Sequence, residues 1–260
     1  MGSLICDRSK HAVTGACSAS GIGFLVFFGS TYSYLTVARM DDIARRHGVE
    51  VKWRPFNLRP ILRDAGLPKG PFAPFPVKME YMWNDLERRA RKHSIPYKKP
   101  TQFPVEPNLL ATKVAIVGFR ESWGKDFTKA AFTDNFVNGR VLGTEENVRM
   151  QVARLGLRPE GVIASARSAE TEELLAQETA EIRALGAFGA PHFVIGRELF
   201  WGDRARAGRT GRYRICSAGP QGRRIVGATT RESQLAASPQ TDALCSCRER
   251  TWGGGERVTA

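Results

Sequence analysis

Phe24-Leu25-Val26-Phe27-Phe28-Gly29-Ser30-Thr31-Tyr32-Ser33-Tyr34-Leu35 is an unbroken apolar run that meets a glycine and a serine and then turns amphipathic. Large apolar residues in succession read as a strand buried on both faces. From Tyr32 to His47 the residues Tyr34, Leu35, Ala38 and Ile43 recur at helical spacing, and Gly48 stops the pattern. Val49 to Pro55 alternates and predicts a second strand, parallel to the first because a crossover joins them. Ser30 therefore sits at a strand-to-helix turn, among backbone N–H groups that suit an anionic sulfur. Ser30-x-x-Ser33 has the spacing of a redox C-x-x-C, without its sulfurs. Cys6, Cys17, Cys216, Cys245 and Cys247 all lie outside the stretch from Phe24 to Arg204. Any thiolate used at this turn must come from a ligand.

At 260 residues and 42% hydrophobic content the chain is long enough to bury a sizeable core. Residues 1–22 lack a sustained apolar segment and no run approaches the ~18 apolar residues of a membrane span, so a cytoplasmic location and no membrane partner are expected. The scattered cysteines fit a reducing compartment. The net charge of +13 suggests nucleic acid until it is divided along the chain. Phe24 to Arg204 holds 27 basic and 21 acidic residues of mixed sign, a solvated surface rather than a phosphate-binding stripe.

Asn57 to Pro76 is Pro-rich and reads as a long loop fit for a substrate wall or lid. Helical patterns follow at Lys78 to His93, Leu109 to Ser122, Lys125 to Phe136, Thr144 to Leu155 and Ala169 to Leu185. Thr144 and Ser168 are expected N-caps, each followed by acids in the first turn. Pro191 to Ile195 and Glu198 to Trp201, joined at Gly196-Arg197, predict a hairpin. The order is βαβ, helices, ββ: an α/β, thioredoxin-like frame with a large all-helical insertion. The expected division is a disordered extension at 1–22, a discontinuous thioredoxin-like domain at 23–57 and 186–204, a helical insertion at 58–185 and a low-complexity tail at 205–260. That tail, expected to be disordered, carries ten arginines and no lysine, the composition of GC-rich DNA read out of frame. A closing helix after the hairpin is missing from the pattern.

Three places carry candidate chemistry. Ser30 reads as a helix N-cap worth roughly 1 kcal/mol, or as a hydroxyl donor to a ligand's sulfur, and the two roles are compatible. Pro191 reads as a strand-entry proline, or as a cis-proline whose preceding residue Ala190 turns its backbone toward a peptide-like ligand. Asp203 reads as a surface turn residue, or as a carboxylate for an α-ammonium group, with Gly202 allowing close backbone approach. His11, His47, His93 and His192 show no ligand spacing, so no metal is expected. Nucleotide-binding loops and nucleophile elbows are absent.

Ser30-Thr31-Tyr32-Ser33-Tyr34-Leu35, Trp53-Arg54-Pro55-Phe56-Asn57-Leu58, Lys78 with Tyr81-Met82-Trp83-Asn84-Asp85-Leu86, and Gly186 to Pro191 through Phe200 to Arg204 together resemble the 2-hydroxychromene-2-carboxylate isomerase family. That family is related to kappa-class glutathione transferases and shares the DsbA-like fold. The resemblance implies glutathione as cofactor and a small aromatic substrate of naphthalene-type breakdown, isomerised between the chromene and trans-o-hydroxybenzylidenepyruvate. It implies that Ser30 meets the glutathione sulfur, Ala190 makes backbone bonds beside cis-Pro191, Asp203 beside Gly202 contacts the γ-glutamyl end, and Lys78 lines the site. Tyr32, Asn57, Asn84 and Asp85 are implied neighbours of the substrate pocket. The Gly202-Asp203 turn is one residue shorter than the usual one, and Thr31 replaces a common proline. A kappa-like glutathione transferase is the alternative, then a redox-inactive binding protein of the oxidoreductase fold. A nucleic-acid partner is not expected; a homodimer is.

Overall fold

The apolar run forms β1 (Ile22–Val26) and the approach to the Ser30 turn in the computed structural model, which describes residues 21–106 and 108–203 together with the backbone of two later strands. Phe27 and Phe28 leave the ladder early, because Phe27 C=O is already accepting the turn hydrogen bond from Ser30 N–H at 3.0 Å. Phe24, Val26 and Phe28 pack to one side of the sheet, Leu25 and Phe27 to the other, in two separate clusters. That two-sided burial is why the strand reads as a continuous apolar run.

The chain continues through α1 (Thr31–Val37) and α2 (Met40–His47), which Gly48 ends in the left-handed conformation at φ +58°. The single helix expected from Tyr32 to His47 is thus two. The break falls at Ala38-Arg39, where the Arg39 side chain donates to Leu35 C=O at 2.8 Å and to Asp203 far along the chain. β2 (Val51–Pro55) pairs parallel with β1, setting Phe24 opposite Trp53 with the rings edge-on at 5.0 Å.

The Pro-rich stretch is not loop throughout. α3 (Arg59–Asp64) starts inside it because Pro60 lies in the first turn, where a missing N–H costs nothing. There follow α4 (Pro76–Lys92), α5 (Leu110–Arg120), α6 (Gly124–Phe136), α7 (Glu145–Arg154), α8 (Pro159–Ala166) and α9 (Ala169–Ala184). The sequence pattern missed α8, a short helix of small residues opened by a proline. Thr144 and Ser168 cap α7 and α9 as expected, accepting from Asn147 N–H and Thr171 N–H. Among the described residues no strand interrupts this helical stretch. It packs back onto the start of the chain through Phe28 on Phe132 at 5.3 Å and Tyr34 on Phe136 at 4.6 Å.

β3 (His192–Ile195) and β4 (Glu198–Trp201) form the predicted hairpin, with β3 antiparallel to β1. The sheet order is β2-β1-β3-β4. Beyond it, β5 (Tyr213–Cys216) and β6 (Arg224–Gly227) pair antiparallel, so these eight residues depart from the expected disorder. Both strands carry β-branched residues at their centres, the type that favours pairing. The rest of the expectations for 1–20 and the tail fall outside the described residues.

One buried acid has a consequence for stability. Glu106 is fully buried beside α5, its carboxylate accepting from Thr112 N–H at 2.8 Å and Thr112 Oγ1–H at 2.7 Å. Burial nevertheless raises its pKa above the ordinary 4.5, outweighing the Thr112 bonds and nearby Arg59. The folded chain then holds this proton more tightly than the unfolded one. Its contribution is present below that ordinary value and is lost as pH rises through the folded value. Glu106→Gln keeps an oxygen for the N–H and offers an N–H to the hydroxyl, so it should gain stability relative to the native chain between about pH 5 and about pH 8 in urea unfolding. An equal difference at both pH values would show that Glu106 is not protonated by burial.

Candidate active site

Ser30 is the N-cap of α1, extended at φ −97°, ψ 120°, which points its hydroxyl back over the first turn. Oγ accepts from Ser33 N–H at 3.3 Å and donates to Ala190 C=O at 2.9 Å, joining positions 160 residues apart. The Ala190–Pro191 peptide is cis. Two groups that the sequence offers separately thus meet at one end of the two central strands, β1 and β3, both only partly buried. Ser33 is fully buried and serves packing. Pro191 C=O accepts from Gly202 N–H at 2.9 Å, and Gly202 adopts φ +93°, a conformation that requires glycine there.

The other wall is α4. Lys78, Met82, Asp85 and Arg89 fall at spacings of four, three and four, which puts them on one stripe. That stripe faces α1. Thr31 Oγ1–H donates to Met82 Sδ at 3.3 Å, Tyr32 O–H donates to Asp85 Oδ2 at 3.0 Å, and the Arg89 guanidinium lies over the Tyr32 ring at 5.6 Å. Burial, then Asp85, pushes the Tyr32 phenol above its usual 10, so it stays protonated and acts as a donor. Lys78 stands exposed at the start of the stripe, its ammonium 5.5 Å from the Phe72 ring and 5.8 Å from that of Phe75.

Asp203 lies deeper than a turn residue would. Its side chain is 1% exposed, held by Arg39 at 3.3 Å and by Arg89. Arg89 also approaches Asp85 at 3.8 Å, so a chain of alternating charges runs Asp85, Arg89, Asp203, Arg39, with the neutral Tyr32 phenol donating at its Asp85 end. An α-ammonium group could reach the Asp203 carboxylate only by displacing an arginine. The cavity beside it, lined by Met40, Ile43, Val51 and Phe193 among others, measures about 20 Å³ and admits roughly one water.

Two expected pocket residues, Asn57 and Asn84, are not members of this hydrogen-bonded network. Asn57 lies just past β2, its side-chain oxygen accepting from Arg59 N–H at 3.0 Å at the start of α3. Asn84 is exposed on α4, one position off the stripe that carries Asp85. The network members that sequence reasoning missed are Arg39, Met82 and Arg89. Arg89 was within reach, since it follows Asp85 by four on an amphipathic helix; its pairing with Asp203 was not.

A sequence profile for the DSBA-like thioredoxin domain matches residues 26–207. The chain belongs to that family. DsbA-like architecture accounts for the parallel β1–β2 pair, the cis-proline before β3 and the helices set between β2 and β3. A relative from Sphingobium xenophagum, named 2-hydroxychromene-2-carboxylate isomerase, is 25% identical over 186 residues, covering 70% of this chain and 92% of its own. A solved structure of 2-hydroxychromene-2-carboxylate isomerase aligns with a TM-score of 0.63 at 21% identity, over 70% of this chain and 88% of that one. A probable DsbA oxidoreductase from Streptomyces coelicolor aligns at 0.55 and 18% identity, over 79% and 99%. Among the described residues no helix is long and apolar enough to cross a membrane.

Proposed function

We propose that this DsbA-like chain is a glutathione-dependent isomerase of 2-hydroxychromene-2-carboxylate or a similar conjugated aromatic acid. The observation that carries the reading is the 2.9 Å bond between Ser30 Oγ and Ala190 C=O in a stretch without cysteine. A disulfide oxidoreductase needs a protein sulfur at this turn, and here a hydroxyl stands in its place. The relative named as an isomerase supports the choice of reaction.

The donor set suits a cysteinyl peptide. Ser30 has one proton, now directed at Ala190 C=O; turned outward, it becomes a donor to sulfur, and the released carbonyl becomes an acceptor for a peptide N–H. The bond between them holds each group ready for the other half of one ligand. When bound, glutathione supplies a thiolate whose reversible addition to a conjugated acid lets the former double bond rotate before elimination regenerates both. Ser30 favours the ionised sulfur, and the Ala190 backbone fixes the direction of attack. The Tyr32 phenol, kept protonated by burial and Asp85, gives its one proton to Asp85 Oδ2 and so ties the first turn of α1 to α4. Lys78 offers a mobile positive charge for a substrate carboxylate.

The experiment is a thiol count. With glutathione and the chromene acid, the spectrum should shift while free thiol stays constant; with a chlorinated nitrobenzene, thiol should not fall faster than in the protein-free control. Enzyme-dependent thiol consumption would instead identify a transferase. A spectral shift that is independent of glutathione would remove the cofactor.

A further inference from the structure

We propose that His192 is a positioning residue for the Ser30–Ala190 pair, holding the bend at 189–191 so that the Ala190 carbonyl faces Ser30. The inference rests on the functional reading only for its consequence in glutathione binding. His192 opens β3 immediately after cis-Pro191, paired with Leu25 on one side and Trp201 on the other, and is fully buried. Its Nδ1 lies 2.9 Å from Gly189 C=O. A carbonyl can only accept, so Nδ1 carries the proton and Nε2 is bare. Nε2 is buried with no hydrogen-bond partner among the described residues. An apolar side chain would fill this place without leaving that nitrogen unpaired, so packing alone does not account for a histidine. The Gly189 bond does. Burial also lowers the pKa of His192, which keeps the ring neutral and its single proton on Nδ1.

The same bend is clamped from outside. The Phe188 ring stands edge-on to His192 at 4.9 Å and packs against Trp201 at 5.2 Å. A Cβ on residue 189 would lie 2.7 Å from Trp201 Nε1, so a larger residue there has to displace the Trp201 ring. Ala190, the next residue, has its carbonyl on Ser30. His192 thus acts through Gly189 on the group that meets Ser30, without touching the ligand itself.

The test compares the native chain with His192→Leu, which keeps bulk, His192→Asn, which keeps an N–H at the Nδ1 position, and His192→Gln, which moves it to the Nε2 position. Readouts are the ring nitrogen and Ala190 carbonyl resonances and glutathione calorimetry. In the native chain the ring proton should be on Nδ1; a proton on Nε2 overturns the proposal. His192→Leu and His192→Gln should shift the Ala190 carbonyl and weaken glutathione binding by about tenfold, the scale of one hydrogen bond, and His192→Asn should restore both. Should the Leu variant fail to fold, the Asn and Gln pair decides. An unmoved Ala190 resonance in His192→Leu, or Asn behaving like Gln, contradicts the role. If the native chain binds no glutathione while the resonance pattern holds, His192 keeps its role and the isomerase reading falls.

Discussion

Ser30→Ala should lower the rate of glutathione-dependent isomerisation by about 10²–10³, the usual effect of deleting one donor aimed at developing negative charge. The same change removes the cap of α1, with a stability cost of about 1 kcal/mol. The two effects separate with a control. Thr144 caps α7 through the same kind of bond, accepting from Asn147 N–H at 3.3 Å, on a helix apart from the Ser30–Ala190 pair. Thr144→Ala should match Ser30→Ala in urea unfolding and leave turnover unchanged. Equal turnover in the two variants would reduce Ser30 to a cap.

Asp203→Ala should cost about 3–5 kcal/mol, the range for removing one partner of a buried ion pair. Arg39 and Arg89, with side chains 19% and 13% exposed, both lose this carboxylate, and Arg89 keeps the longer 3.8 Å approach to Asp85. Against a typical total of about 5–15 kcal/mol, that loss leaves a marginal fold. A second variant shows whether the lost pairing is the cause. Arg89→Met combined with Asp203→Ala should recover part of the loss, because a stranded cation has gone and Met retains most of the bulk. A cost below about 1 kcal/mol for Asp203→Ala would mean that water already screens the pair as at an open surface.

What could be read from the sequence was the part written locally. β1 is legible because both of its faces are buried, Gly48 because a left-handed helix stop favours glycine, and Thr144 and Ser168 because a cap and its N–H are three residues apart. The meeting of Ser30 and Ala190 was legible only through the order of elements, which sets a turn after β1 beside a proline before β3. What was not legible depends on distant partners. At the helix break the Arg39 side chain takes the Leu35 carbonyl and reaches a carboxylate 164 residues away, and the same carboxylate pairs with Arg89 from α4. The Pro-rich stretch hides α3 because proline, a helix breaker in most positions, serves there as a first-turn residue. Asn57 resembles a pocket residue in its motif, yet its side chain is engaged at the start of α3.

The proposed grip of Ser30 and Ala190 on a borrowed thiolate is read out in the ionisation of glutathione bound to the native chain and to Ser30→Ala, followed by thiolate absorbance across pH. The bound thiol should ionise at least one unit below the ~8.5 typical of a free cysteine thiol, and that depression should disappear in Ser30→Ala. A bound thiol that titrates at its free value in the native chain, or one equally depressed in both proteins, would contradict the account.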